Sequence, residues 1–484
     1  MGKEDKVMIL NLPSPPSIDV CRDYAGGFGV AWPIKRTGYG QFAEPCFHPF
    51  LPYASAVLSN EGYDYDILDC QRMKLNKLQV LENVKNRNPD VIFSLIGLPS
   101  LRKDIELLDM IKGSLPDVHI IGVGTVCRFL QNDILLRSID AVLRNDYPYI
   151  SNMVQLIKAL NQGHDLKTVP GVSYIKGNNV INTPETPDIE LDKLLLPNYD
   201  TIELDEYESF VDRRGNRRRY IPILTGKGCP YPCFYCPYPL GFGKKWTHKS
   251  PKDIVNEIEY LCSRGIKAFG FRDQSFLMNK KHATKVCEEI LSRRLDIAWA
   301  CEARVDQASK EILWLMKRSG CIRIHYGVET GDPTLIKDGK PGTSLETTRK
   351  AFRLTKEWDV WTNAHVILGW PDESLETLGN TYRFLLEIDP DSVNWNFLTP
   401  YPGTKLYEMA KENNLILTHD WSNYTSHTVV MRTKWLNGSQ LQNAATKIIR
   451  NYSKHRMLKL LLHAGKQPRL AANELKQTIK GYLT

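Results

Sequence analysis

The chain has 484 residues, of which 42% are hydrophobic and 24% charged, with a formal net charge of +8. That length implies about two or three domains, and the composition is that of a folded globular protein rather than a disordered or collagenous one. Apolar runs such as "AVL", "VIF" and "LLL" stop far short of the roughly 18 residues of a membrane span. The start "MGKEDKVMILNLPSPP" has neither a signal-peptide core nor the Ser or Thr of a myristoylation site, so a cytoplasmic location is expected.

The first stretch alternates strand and helix signals. "KVMILNL" reads as a buried strand, followed after a long loop by the helix "FLPYASAVLSNEG", with Pro52 in its first turn and Gly62 as its stop. Then come the strand "YDYDILD", a polar helix near 77 to 87, the strand "DVIFSLIG", the helix "LRKDIELLDMIKGS", the strand "HIIGVG", a short helix and the strand "AVLR". Near-continuous apolar strands separated by helices predict an α/β domain built on a Rossmann-like, doubly wound parallel sheet over residues 1–164. Such sheets bind ligands at the carboxyl ends of their strands, here "SLIGLPS" and "GVGTVC".

Residues 165–215 are dense in turn signals and read as a connector with a hairpin at "YIKGNNVIN". The stretch "DRRGNRRRY" at 212 to 220 holds much of the local positive charge. It fits a solvated loop, or a contact for a phosphate-bearing cofactor or acidic substrate; the basic stripe with interleaved aromatics of a nucleic-acid binder is missing.

A second alternation, six βα units long, fills residues 216–410. It predicts a partial (βα)6 barrel with its site at the carboxyl ends of the strands. Its helices carry start signals: Ser250 as N-cap with Pro251 behind it and Ile254, Ile258 and Leu261 on one face, and a Thr343/Glu346 capping box. Residues 411–484 contain one convincing helix, "SQLQNAATKIIRNYSKHRMLKLLLH", and read as a small, mostly helical region.

The densest chemistry is "GCPYPCFYCPYP", residues 228 to 239. Eleven cysteines without a secretory signal imply free thiols in a reducing compartment, with a clustered set serving a metal. Cys229, Cys233 and Cys236, spaced Cys-x3-Cys-x2-Cys, can hold three irons of a [4Fe–4S] cluster and leave the fourth open to a ligand. Zinc on Cys233, Cys236 and a distant ligand such as His248 leaves Cys229 unexplained. A metal-free cluster would leave three exposed thiols on a loop. Cys262, Cys287, Cys301 and Cys321 fit core packing.

This motif, with aromatic Tyr235 between its last two cysteines, resembles that of the radical S-adenosylmethionine (SAM) superfamily. "SPKDIVNEIEYL", "FRDQSF", "GVETG", "ILGWPDES" and "TPYPGTKLY" resemble the branch of that superfamily with an N-terminal cobalamin domain. "HPFLPYASAVLSNEGYDYDILDC" and "PGVSYIKGNNVIN" through "LLLPNYD" are similar to that branch's first domain and connector. The resemblance covers roughly residues 45 to 410.

It implies three cofactors: a [4Fe–4S] cluster on Cys229, Cys233 and Cys236, SAM chelated by the open iron, and cobalamin on the first domain. By position, Asp273, Arg304 and Glu329 and the backbone of "ILGWP" near Gly369 would hold SAM beside Tyr235. Read without the resemblance, these residues are a helix cap, a surface pair and a turn cap. Ser94, Gly97, Gly122, Gly124 and Thr125 would approach the corrin and its nucleotide tail. The first domain, whose histidines are His48 and His119, is read as lacking the Asp-x-His-x-x-Gly histidine that replaces the lower cobalt ligand, so base-off binding without a histidine is expected. A structural first domain without cobalamin is the alternative.

The implied activity is a radical SAM methyltransferase that moves a methyl group by way of methylcobalamin to an unactivated sp3 carbon. Its substrate is a small molecule or, preferred on the basic and aromatic flanks, a peptide or protein residue, and its electron donor a protein such as flavodoxin or ferredoxin. A cyclase or rearrangement enzyme of the same branch is the nearest alternative; a non-enzymatic cluster carrier is the more distant one.

Overall fold

A computed structural model describes residues 6–33, 46–135, 138–144, 150–161, 163, 165–186, 190–207, 209–211 and 217–463. Five of the nine residues of "DRRGNRRRY" lie outside these. The described residues divide into two units: 6–31, 46–207 and 237–243 form the first, and 32–33, 209–236 and 244–463 the second. None of their helices is long and apolar enough to cross a membrane.

The first unit is built on seven strands: β1 (Lys6–Asn11), β2 (Asp64–Asp69), β3 (Val91–Leu95), β4 (His119–Val123), β5 (Ala141–Leu143), β6 (Val172–Lys176) and β7 (Asn179–Asn182). Their order in the sheet is β2-β1-β3-β4-β5-β6-β7. The first five are parallel, as their near-continuous apolar sequences predict, and every residue of β3 is buried. The hairpin read as part of a connector instead extends this sheet, β6 pairing antiparallel with β5. Helices Phe50–Asn60, Lys77–Arg87 and Leu101–Ser114 link parallel strands, and Ile150–Asn161 leads from β5 to the antiparallel β6. The second of these starts on a capping box, with Asn76 accepting from the Leu78 and Gln79 amides and Gln79 accepting from Asn76.

A buried ionic network fixes the turn after β3. Arg22 and Asp104 pair at 2.7 Å with side chains 1% and 2% exposed, and Asp104 also accepts from Ser100 Oγ at 2.7 Å and the Gly97 amide at 3.1 Å. Arg22 also donates to Leu12 O at 2.7 Å, which ties the ends of β1 and β3 together. Such a pair, once buried, is costly to break because removing either partner leaves a lone charge out of water.

The second unit carries β8 (Ser209–Val211), β9 (Arg217–Ile223), β10 (Ala268–Phe271), β11 (Ala298–Ala303), β12 (Cys321–Glu329), β13 (Trp361–Leu368) and β14 (Ser392–Phe397) in one sheet, in sequence order. β9 to β14 are parallel and β8 is an antiparallel edge. Six parallel strands in chain order, with helices in the crossovers, curl into the expected half barrel. Ser250 caps helix Pro251–Ser263 by accepting from the Asp253 amide, and Ile254, Ile258 and Leu261 are wholly buried. The predicted Thr343/Glu346 box is shifted by one residue: Ser344 and Thr347 form it, because a Thr hydroxyl at the third helical position reaches back to the N-cap amide as a Glu carboxylate would. The C-terminal helix runs Gly438–His463, and Tyr452 on it packs edge-on to Trp395 of β14 at 5.7 Å.

Candidate functional site

The three cysteines leave the carboxyl end of β9 on an irregular loop, half-buried and outside any disulfide. Two features give the loop its path. Gly228 has a φ of +87°, and any side chain there would overlap the carbonyl of Lys245. Downstream, the Cys236 amide donates to Cys233 O at 3.1 Å, closing a turn around the last two thiols. Burial pushes the Cys229 and Cys233 thiols up, while Arg304 and Lys340 pull them down.

The residues singled out on the barrel strands converge on this loop. Asp273, after β10, is buried and takes three bonds on Oδ1 from the loop's root: the Thr225 hydroxyl at 2.7 Å, the Gly226 amide at 2.9 Å and the Thr225 amide at 3.1 Å. Burial pushes its carboxyl up to about 6 against those bonds. Arg304, after β11, lies 3.6 Å from the centre of the Tyr231 ring and is clamped by Asp306 at 3.0 Å and Pro341 O at 3.0 Å. It is neither a surface pair nor free.

Glu329 ends β12 at a φ of +66°, a conformation costing about 1–3 kcal/mol outside glycine. A register irregularity between Gly327 and Glu329 accompanies it. The strained backbone places the carboxylate in a buried ion pair with Lys340 at 2.6 Å, and in a hydrogen bond with Tyr235. Burial and then Glu329 hold the Tyr235 phenol well above its ordinary range. The Tyr235 ring meets Trp370 edge-on at 5.3 Å, and Phe234 lies 6.0 Å from the same indole. Phe234 O also accepts from the Leu406 amide at 3.0 Å.

Gly369 follows β13. Its φ of +91° requires glycine, but its amide donates to Glu373 Oε2, which also accepts from Trp370 N at 3.2 Å. Sequence reasoning missed Glu373, Lys340, Tyr231 and Trp370. "GWPDES" did contain an acid four residues past the glycine, which is the one local signal among them.

Glu373 is fully buried, with Oε1 unpartnered, and burial pushes its carboxyl up to about 8. The proton is therefore held more tightly folded than unfolded. That stabilisation is complete at pH values below the ordinary carboxylate range and is lost as pH rises to about 8. Glu373→Gln keeps an acceptor for both amides and does not titrate. Between pH 5 and pH 9 the wild type is expected to lose stability relative to Glu373→Gln by on the order of a few kcal/mol, read by denaturant unfolding; parallel pH profiles would contradict this.

In the first unit, Ser94 and Gly122 are register neighbours near the carboxyl ends of β3 and β4. Ser94 Oγ is buried without a hydrogen-bond partner. Gly122 is a packing glycine, since a Cβ there would sit 2.9 Å from Ile96 and 3.1 Å from Val142. Gly124 has a φ of +136° and lies under Ile96 O, Gly97 is held by Asp104, and the Thr125 hydroxyl donates to Gly26 O at 2.6 Å.

The reading of His119 was wrong. Asp117, His119 and Gly122 do have the Asp-x-His-x-x-Gly spacing. The imidazole is nevertheless at the other end of the sheet: His119 is the first residue of β4, roughly 13 Å along the strand from its carboxyl end. The pattern spells out the start of a strand, away from where such sheets bind ligands.

Residues 223–385 match the model of the Radical SAM superfamily, so the half barrel with its three-cysteine loop is a radical SAM domain. Over 402 residues the chain is 28% identical to an uncharacterised methyltransferase of Pyrococcus horikoshii, covering 82% of this chain and 85% of that one. It is 26% identical over 440 residues to the anaerobic magnesium-protoporphyrin IX monomethyl ester cyclase of Cereibacter sphaeroides, covering 89% and 70%. The structure of OxsB, a cobalamin-dependent SAM radical enzyme, superposes with a TM-score of 0.74 at 17% identity, covering 99% of this chain and 72% of that one. The chain thus contains a radical SAM domain, and its fold is like that of OxsB.

Proposed function

We propose that this protein is a cobalamin-dependent radical SAM methyltransferase acting on an unactivated sp3 carbon of a peptide or protein residue. The observation that carries the reading is the loop of Cys229, Cys233 and Cys236, whose Cys-x3-Cys-x2-Cys spacing suits a [4Fe–4S] cluster with one iron left for SAM. When bound, the cluster and SAM supply hydrogen-atom abstraction and the corrinoid supplies the methyl group.

The protein's own residues do the positioning. Arg304 on Tyr231, Asp273 on Thr225 and Gly226, and Trp370 against Tyr235 hold the cysteine loop from three strands. Lys340 and Tyr235 fix the buried Glu329 carboxylate, which would offer an acceptor to the amino group of SAM. A reductant such as flavodoxin or ferredoxin would deliver electrons. Ser94 Oγ, the one unpartnered hydroxyl among the first-unit candidates, offers itself to the tail of a corrinoid.

The cyclase relative supports a second reading, in which cobalamin donates no methyl. Anaerobic reaction with SAM bearing a trideuterated methyl group separates them: a product three deuteriums heavier supports methyl transfer, and product of unlabelled methyl content beside accumulating 5′-deoxyadenosine supports the cyclase. The position of His119 makes a further prediction. His119→Ala should bind corrinoid as the wild type does, and both should give cob(II)alamin resonance spectra without histidine nitrogen coupling. Loss of a nitrogen signal on substitution would refute base-off binding without histidine.

A further inference from the structure

The barrel sheet has two faces of different chemistry. Tyr326 of β12 hydrogen-bonds Thr355 at 2.9 Å and packs 5.4 Å from Phe352, both on helix Leu345–Glu357, so its face is the one covered by helices. Arg323, His325 and Gly327 alternate with it and point to the other side. Register places His325 beside Asn363 and Gly327 beside His365, with Ser392 and Asn394 next on β14. This inner face leads to the cluster loop, because a side chain on Gly327 would collide with Lys340 Nζ and Glu329 Oε1. His325 lies roughly 7 Å along the strand from that point.

The inner face is polar at this level and incompletely paired. The His325 and His365 rings are 5.5 Å apart. Burial first, then His365, Arg323 and Arg272, keep His325 neutral. Asn363 is wholly buried; its Nδ2 donates to Ser392 Oγ at 2.7 Å, while its Oδ1 faces the His325 ring without a well-formed hydrogen bond. His365 Nε2 is buried and has no hydrogen-bond partner.

We propose that His325, Asn363 and His365 form the substrate-recognition level of the barrel and take the amide group of a peptide-like substrate. The amide N–H donates to Asn363 Oδ1, and its carbonyl accepts from His365 Nε2–H. A hydrocarbon surface would leave both atoms buried and unpaired. A carboxylate would set a second acceptor against Asn363 Oδ1. The assignment rests on the reading of the chain as an enzyme whose substrate enters the barrel, and it deepens that reading by naming the recognised group.

The test uses full-length, cluster-reconstituted protein with SAM and two probes: N-acetyl-dialanine N-methylamide, and the depsipeptide in which ester oxygens replace its backbone N–H groups. Saturation-transfer NMR should show the amide binding at least about tenfold more tightly than the depsipeptide. His365→Phe or Asn363→Leu should bring the amide down to the depsipeptide level. Iron content confirms that each variant folds, and His365→Phe, at a half-buried position, carries the test if Asn363→Leu does not. Equal binding of the two probes, no binding of the amide, or full amide affinity in His365→Phe would overturn the assignment. A methyl-transfer assay that fails while the amide still binds selectively would instead remove the methyltransferase reading.

Discussion

Alanine at Cys229, Cys233 or Cys236 is expected to take anaerobically reconstituted protein from about four irons per chain to near zero, and with it all cleavage of SAM to 5′-deoxyadenosine. Three thiols supply every protein bond to the cluster, so losing one leaves two irons of four without an anchor. The effect should be all-or-none, because the other cysteines of the second unit are held in helices and strands. Cys287 is buried in helix Lys280–Ser292, where burial pushes its thiol up to about 12, and Cys301 and Cys321 are likewise enclosed in strands. Cys262 sits on helix Pro251–Ser263. Alanine at Cys262 or Cys287 should leave iron content unchanged. Stoichiometric zinc without iron in anaerobically purified protein would end the radical SAM assignment of this loop.

The second large effect is in product balance. A carbon that is neither acidic nor nucleophilic cannot attack a methyl sulfonium, so a hydrogen atom must leave it first, and that demands a SAM separate from the one giving up its methyl group. Each turnover should therefore yield S-adenosylhomocysteine, 5′-deoxyadenosine and methylated product in equal amounts, measured by chromatography with mass detection. A cluster-free cysteine variant should lose the last two products together. Arg304→Ala is expected to lower the rate by roughly ten- to a hundredfold without removing iron, since it frees Tyr231 and loosens the loop while sparing the thiols. Wild-type product forming without matching S-adenosylhomocysteine would exclude the methyltransferase stoichiometry.

Much of this protein was legible locally. The alternation of apolar strands with capped helices is written in periods of 2 and 3.6, and the cluster loop is legible because its three ligands fall within eight consecutive residues. What surrounds that loop was not, because each partner is brought by a different strand. Lys340 reaches Glu329 across a turn and short helix, and Gln307 approaches Tyr231 from 76 residues away. Arg22 finds Asp104 at a separation of 82, and nothing in the neighbourhood of either residue announces the other. The hairpin after residue 171 shows the same limit: its strands and its Gly177 turn are local, but which sheet edge it joins depends on the unpaired backbone groups of β5. His119 is the sharpest case. Its spacing from Asp117 and Gly122 is that of a cobalt-ligand motif, yet it begins a parallel strand, so sequence determined the residues and only the direction of β4 in the sheet decided that this imidazole lies at the opposite end from where such sheets bind ligands.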